Sequence, residues 1–174
     1  QILPTLKVIL LGGMQEPGHA AGTTLAGLLE SGQLGEVVAD PDALVAPAIE
    51  EGLRWVSPIG TQTRHARVGT SLGGVVVPED ANLALLVSSA NRDETVWGDD
   101  ADRFDVHRAR RNHAAFGFGP HYCSGHHFSR VQMRIVIRRL LERFPGLAAH
   151  PERPATWSGW EFRAPRTLDV ALEP

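Results

Sequence analysis

One cysteine in 174 residues leaves no partner for an intramolecular disulfide. A disulfide framework is therefore excluded, and with no secretory leader visible a reducing, cytoplasmic setting is expected. Long apolar runs are also lacking. The stretch around Lys7 to Leu11 gives way to Gly, Gln and Glu, far short of the ~20 residues a bilayer demands, so no membrane span is expected. Positive charge is not in excess either: 17 Lys and Arg against 20 Asp and Glu give a formal charge of -3, which argues against a general nucleic-acid binder. There is no internal repeat and no low-complexity tract. What is present is ordinary globular composition, 43% hydrophobic and 21% charged, which excludes a disordered or fibrous chain and predicts one folded unit over 1–174 with a sizeable core. The opening Gln1-Ile2-Leu3-Pro4 runs into apolar residues with neither an initiator Met nor a polar lead-in, and predicts a chain cut from something longer.

The patterning predicts a mainly α chain with a small β region. One long helix is expected from Leu6 to Glu30, interrupted by Gly12-Gly13 and Pro17 and closed by Ser31-Gly32. A short helix is expected over Gln33 to Ala39. A stronger one capped by Asp42 follows, with Leu44, Val45, Ala48, Ile49 and Leu53 at helical spacing and Ser57-Pro58 ending it. Val75 to Val77 and Leu83 to Val87 predict strands of a small sheet. Asn91 to Asn112 predicts an ordered polar meander anchored by Trp97, Phe104 and Val106. After a glycine-rich loop, a helix is expected from about Ser124 to Arg143, and a hairpin within Thr156 to Leu172.

Cys123 falls where that loop meets the helix, and unpaired backbone N–H groups at a helix start favour an anion. A lone cysteine is more often structural than functional. The approach to this one, Phe116-Gly117-Phe118-Gly119-Pro120-His121-Tyr122-Cys123-Ser124-Gly125, places glycines where side chains would keep a flat ligand off the backbone. Thiolate, flat apolar ligand and helix start together suggest haem-thiolate ligation. A competing reading is a zinc site from Cys123, His126 and His127 with His121. Zinc, however, requires no glycine-rich aromatic approach.

At this loop the chain resembles the cytochrome P450 superfamily, whose haem loop F-x-x-G-x-x-x-C-x-G is matched by Phe116, Gly119, Cys123 and Gly125. The resemblance covers essentially the whole chain and implies the P450 fold from the oxygen-binding helix onward. It implies haem b held by Cys123 as axial ligand, with Phe116, Gly117 and Gly125 in the haem loop. Arg64 and His121 would serve the propionates, with His113 as a secondary candidate. Glu51 and Arg54, three residues apart on one helix face, form an E-x-x-R pair worth little by itself if exposed. The resemblance joins them to an Arg of the meander, a role that Arg103 fits, in a structural triad.

In Gly12-Gly13-Met14-Gln15-Glu16-Pro17 the chain is similar to the P450 oxygen-binding segment but has Gln15-Glu16 where an acid-Thr pair usually stands. Pro17 cannot donate to the Gly13 carbonyl, so a bulge with a free acceptor is expected there. Glu16 is expected either to replace the missing Thr as a hydrogen-bond partner near bound oxygen or to pair with His19. The run from Gly12 to His19 is similar to bacterial P450s of the guaiacol O-demethylase type. That similarity implies oxidative O-demethylation of small methoxyphenols, a small aromatic ether and O2 as substrates, and an electron-donating reductase of flavin and iron-sulfur type fed by NADH or NADPH. Substrate-facing positions would be Val8, Gly12, Ile59, Thr63 and Phe162. Hydroxylation of another small apolar substrate, or a non-catalytic haem sensor or electron carrier, are the alternatives. On the last long helix His127, Arg130, Arg134 and Arg138 form a cationic stripe, either a solvated face or a dock for an acidic redox protein, with Met133, Val136, Ile137, Leu140 and Leu141 expected to face inward.

Overall fold

The computed structural model describes residues 2–109 and 111–172. In place of one helix from Leu6 to Glu30 there are two, α1 (Ile2–Met14) and α2 (Glu16–Glu30), with the break at Gln15. The reason is Pro17, which has no N–H for the Gly13 carbonyl and instead occupies the first turn of a new helix, where that donor is not needed. The His19 N–H then bonds the Gln15 carbonyl at 3.0 Å and the ladder resumes.

Next come α3 (Leu34–Ala39) and α4 (Pro41–Trp55). The cap of α4 is Asp40, not Asp42: its carboxylate accepts from the Ala43 N–H at 3.1 Å. Pro41 decides this, because proline belongs at the first helical position and the capping residue must precede it.

Among the described residues the small sheet expected between Thr61 and Val87 is two separate two-stranded antiparallel ladders, and two more lie in the tail. The strand expected to reach Val87 ends at Leu85, because Val87 opens a helix. β1 (Gln62–His65) pairs with β4 (Asn82–Leu85), and β2 (Thr70–Leu72) with β3 (Val75–Val77). The meander between carries two one-turn helices, α5 (Val87–Ala90) and α6 (Glu94–Trp97), and its predicted anchors Trp97, Phe104 and Val106 are all buried. α7 (His126–Arg143) begins two residues later than expected, with Gly125 as its cap. β5 (Leu147–Ala149) pairs with β8 (Val170–Leu172), while β6 (Thr156–Ser158) and β7 (Ala164–Thr167) form the terminal hairpin.

The core is the α2, α4 and α7 triangle. Leu28, Ala48, Ile49, Leu53, Met133 and Ile137 are each no more than 2% exposed. Two glycines let the elements approach. A Cβ on Gly52 of α4 would lie 2.3 Å from the Thr24 hydroxyl of α2, and one on Gly27 would lie 2.2 Å from the Phe104 ring. On α7, Met133, Ile137 and Leu141 face inward as expected, but Val136 is 52% exposed. It sits 100° from Ile137 around the helix, outside the narrow stripe that meets α2 and α4. Among the described residues no helix is long and apolar enough to cross a membrane.

Candidate functional site

The cysteine loop is held from both ends. His113 opens a 3-10 turn over 114–116, its Nδ1 accepting from the Ala115 N–H at 3.3 Å, while Asn91 Oδ1 accepts from the Ala114 N–H at 2.7 Å. Gly117 (φ 70°) then reverses the chain in a conformation L side chains rarely adopt. The Cys123 N–H closes the loop on the Phe116 carbonyl at 2.9 Å, and the His126 N–H takes the Cys123 carbonyl at 3.3 Å.

Behind the loop lies a support that the sequence reading missed. Glu50 of α4 receives both arms of Arg130, at 2.6 and 2.8 Å, and His113 Nε2 stands 3.2 Å away. The Arg130 guanidinium also covers the Phe116 ring, 4.4 Å from its centre. Burial is the largest influence on Glu50 and opposes its ionisation. The combined hydrogen bonds and charges of Arg130 and His113 outweigh it, and hold the carboxyl at about 2. The signal available in the sequence was Glu50 itself, a second acid directly before Glu51 and one helical position, about 100°, around from it.

Glu51 and Arg54 are buried, with the side chains 5% and 1% exposed. Arg54 Nε and Nη2 donate to the two Glu51 oxygens at 2.8 and 2.7 Å, and its remaining donors reach the carbonyls of Asn91, Ala101 and Arg103. The expected third side chain is corrected. Arg103 contributes its carbonyl while its side chain is exposed. The second guanidinium on Glu51 is Arg108, whose Nε donates to Oε1 at 3.0 Å and whose other arms hold Asp100. A turn over Asp105 to Arg108, in which the Arg108 N–H takes the Asp105 carbonyl, folds Arg108 back toward α4.

Six of the predicted site residues meet in one cavity of about 240 Å³: Gly12, Glu16, Ile59, Phe116, His121 and Cys123. Pro17, Ala20, Leu53, Ala115 and Met133 complete an apolar lining, and Gln62 adds an amide. Among the described residues Glu16 Oε2 and His19 Nδ1 are both buried without a hydrogen-bond partner, so the alternative pairing is not made through these two atoms.

Other predicted positions lie elsewhere. Val8 is 70% exposed, since α1 buries none of its residues and Val8 sits a full turn, roughly 6 Å, beyond Gly12. Thr63 is exposed on β1, where its carbonyl accepts from Arg64 Nη1 at 2.8 Å. Arg64 also bonds the Gln62 side chain at 3.2 Å and so stands one residue removed from the cavity wall. Phe162 pairs with Ile59 in an isolated bridge behind the wall. Gly13 does not reach the lining. Gly117 and Gly125 shape the loop, a Cβ on Gly125 standing 3.9 Å from the thiol. His113, the secondary propionate candidate, is committed to Glu50.

The cationic stripe is largely spoken for: Arg130 pairs with Glu50, and Arg138 with Asp42 at 2.6 Å and Glu142 at 3.1 Å. Nor do the histidines assemble with Cys123. His126 Nδ1 faces Arg130 Nη1 at 3.0 Å, its ring lies against Tyr122, and among the described residues no three His, Cys, Asp or Glu side chains converge on a metal-binding point.

Comparison with known proteins follows the same lines. A family model described as Cytochrome P450 matches residues 43–159. The chain is 36% identical over 173 residues to a steroid C26-monooxygenase of Mycolicibacterium smegmatis, covering 96% of this chain and 42% of the relative. It is 37% identical over 142 residues to the 6-deoxyerythronolide B hydroxylase of Saccharopolyspora erythraea, covering 81% and 35%. Among solved structures, the cytochrome P450 PksS of Bacillus subtilis 168 superposes with a TM-score of 0.88 at 26% identity over 98% of this chain and 44% of that one. The chain thus spans about two fifths of the length of the relatives it matches.

Proposed function

The chain belongs to the cytochrome P450 family, and from that premise we propose that residues 1–174 supply the haem-holding, oxygen-facing, C-terminal part of a single monooxygenase domain. Family members carry haem b, and the residues present suit it. The cavity joins a soft thiol from the cysteine loop to apolar side chains and to a carboxylate oxygen left without a partner on α2. This meeting of Cys123 with the broken start of α2 is the observation that carries the proposal.

When bound, haem supplies the iron at which dioxygen is activated with two electrons from a reductase. The protein's own contribution is positioning. Cys123, positioned by the bond from its N–H to the Phe116 carbonyl, would hold the haem iron through its thiolate, and His121 and Arg64 would serve the propionates. Glu51, Arg54 and Arg108 anchor the meander, and the Glu50 and Arg130 pair braces the loop from behind. Gly12 and Ile59 bound the space left for substrate. Glu16 holds or donates a proton at Oε2, an atom with no other commitment.

For the substrate we propose a small methoxyphenol such as guaiacol. Oxidation of its methyl C–H bond gives a hemiacetal that collapses to formaldehyde and a phenol. The run Gly12 to His19 and the apolar, small-residue lining support this. A second reading, hydroxylation of a different apolar molecule, is favoured by relatives named for a steroid and for 6-deoxyerythronolide B. The full-length, haem-loaded protein with a reductase separates them: formaldehyde formed in proportion to guaiacol and NADH consumed supports O-demethylation. A hydroxylated product from another substrate, with no formaldehyde from guaiacol, leaves only the broader activity. Glu16→Ala is expected to keep haem and substrate binding but divert reducing equivalents to peroxide, and unchanged coupling returns Glu16 to a structural role.

A further inference from the structure

A second cleft, of about 350 Å³, lies behind the wall formed by Gly60 and the tip of the β6–β7 hairpin, and it shares no lining residue with the Cys123 cavity. Its walls are tied together by backbone bonds: the Gly60 N–H donates to the Glu161 carbonyl at 2.7 Å and the Ser88 N–H to the Gly60 carbonyl at 3.0 Å. Gly60 is required there, because a Cβ would stand 2.7 Å from the Trp160 carbonyl and 2.9 Å from the Ser88 hydroxyl. Backbone hydrogen bonds and a close approach at Gly60 thus hold the two walls of the concavity together.

Its chemistry is that of an anion receptor. Two guanidiniums, Arg92 and Arg163, line it, and neither has a carboxylate partner among the described residues. Arg92 Nε donates to the Trp55 carbonyl at 2.7 Å and its guanidinium lies over the Trp55 ring, while Arg163 Nη1 reaches only the Gly159 carbonyl at 3.2 Å. Burial, followed by the charges of Arg54 and Arg163, depresses the Arg92 pKa, with Asp102 a lesser opposing influence. A half-buried cation beside another cation is a cost that a bound anion would relieve. The Ser88 hydroxyl is buried on the same wall with no hydrogen-bond partner among the described residues. At the rim Trp160 leaves 75% of its surface exposed, an indole face beside the two charges.

We propose that this cleft binds a small organic anion, a carboxylate or phosphate head taken by Arg92, Arg163 and the Ser88 hydroxyl, with a flat apolar body lying against Trp160. Guanidinium forks suit either head, and an exposed indole selects for an aromatic body over a bare ion. Because Gly60 follows Ile59, which lines the Cys123 cavity, the two sites share one wall.

Isothermal titration calorimetry of the full-length, haem-loaded protein with benzoate, phenyl phosphate, inorganic phosphate and benzyl alcohol tests this. One phenyl anion per chain is expected, bound more tightly than inorganic phosphate, with no heat from the neutral alcohol and no change in the haem Soret band. Whichever phenyl anion binds more tightly identifies the head group. Arg163→Gln is expected to weaken binding about tenfold or more, and Ser88→Ala roughly threefold. Neither position forms an ion pair among the described residues, so the variants should fold, which a thermal melt verifies. Absence of saturable heat, unchanged affinity in both folded variants, equal affinity for inorganic phosphate, or a Soret shift that tracks the heat would each overturn the proposal.

Discussion

Replacing Arg108 and Arg103 separately by alanine discriminates between two ways of building the network on Glu51. Arg108 is 10% exposed and donates to Glu51 Oε1 at 3.0 Å and to Asp100 at 2.9 and 3.2 Å. Without it Glu51 keeps both bonds from Arg54 and the Asp105 N–H at 3.0 Å, so the carboxylate is not stranded. The loss is that of charge-assisted hydrogen bonds, about 1.5–3 kcal/mol. Arg103→Ala retains the carbonyl that Arg54 uses and removes only an exposed side chain, so its effect should stay within about 0.5 kcal/mol. Glu51→Ala is the severe case. It leaves Arg54, 1% exposed, with carbonyl partners and no counter-charge, at roughly 3–5 kcal/mol. In the full-length domain a loss of that size is expected to lower the melting temperature by several degrees. Thermal melts of the three variants, with haem content measured alongside, provide the readout. The reasoning fails if Arg103→Ala destabilises as much as Arg108→Ala, or if Glu51→Ala melts with the parent.

Glu50, held at about 2 against an ordinary 4.5, contributes stability that is fully present above about pH 4.5 and is lost as pH falls through its folded value near 2. Urea unfolding across pH 5 to 2 should therefore show an acid limb that flattens in Glu50→Gln; an unchanged limb contradicts the role given to Arg130 and His113. Gly27→Ala drives a methyl to within 2.2 Å of the Phe104 ring and should cost about 1–3 kcal/mol through overpacking, whereas Gly32→Ala, where nothing lies within 4 Å but φ is 73°, reports backbone strain alone. Matching near-UV spectra and melts for Gly27→Ala and the parent would show that α2 does not approach the meander so closely.

Much of this architecture was legible in the sequence because it rests on local rules. The helical spacing from Leu44 to Leu53, the glycine-rich approach to Cys123 and the anchors Trp97, Phe104 and Val106 depend on neighbours close along the chain, and the structure keeps them. The two prolines act more sharply than apolar spacing alone suggests: Pro17 splits the first helix rather than bending it, and Pro41 moves the cap to Asp40. Long-range choices were not legible. Nothing in Asp102-Arg103-Phe104 tells which Arg turns its side chain inward, since that depends on a turn 54 to 57 residues from Glu51. The cationic stripe on α7 was correctly placed by spacing, but its meaning changed with Glu50 and Asp42, acids contributed by another helix 80 and 96 residues away.

The central claim is that Cys123 holds a haem iron in the cavity it shares with Glu16. The difference spectrum of the reduced, CO-treated, haem-loaded full-length protein tests it most directly. The parent should show the red-shifted Soret band of thiolate ligation, and Cys123→Ala should lose it while retaining its fold by circular dichroism. A parent without that band, or a folded Cys123→Ala protein that keeps it, would contradict the account.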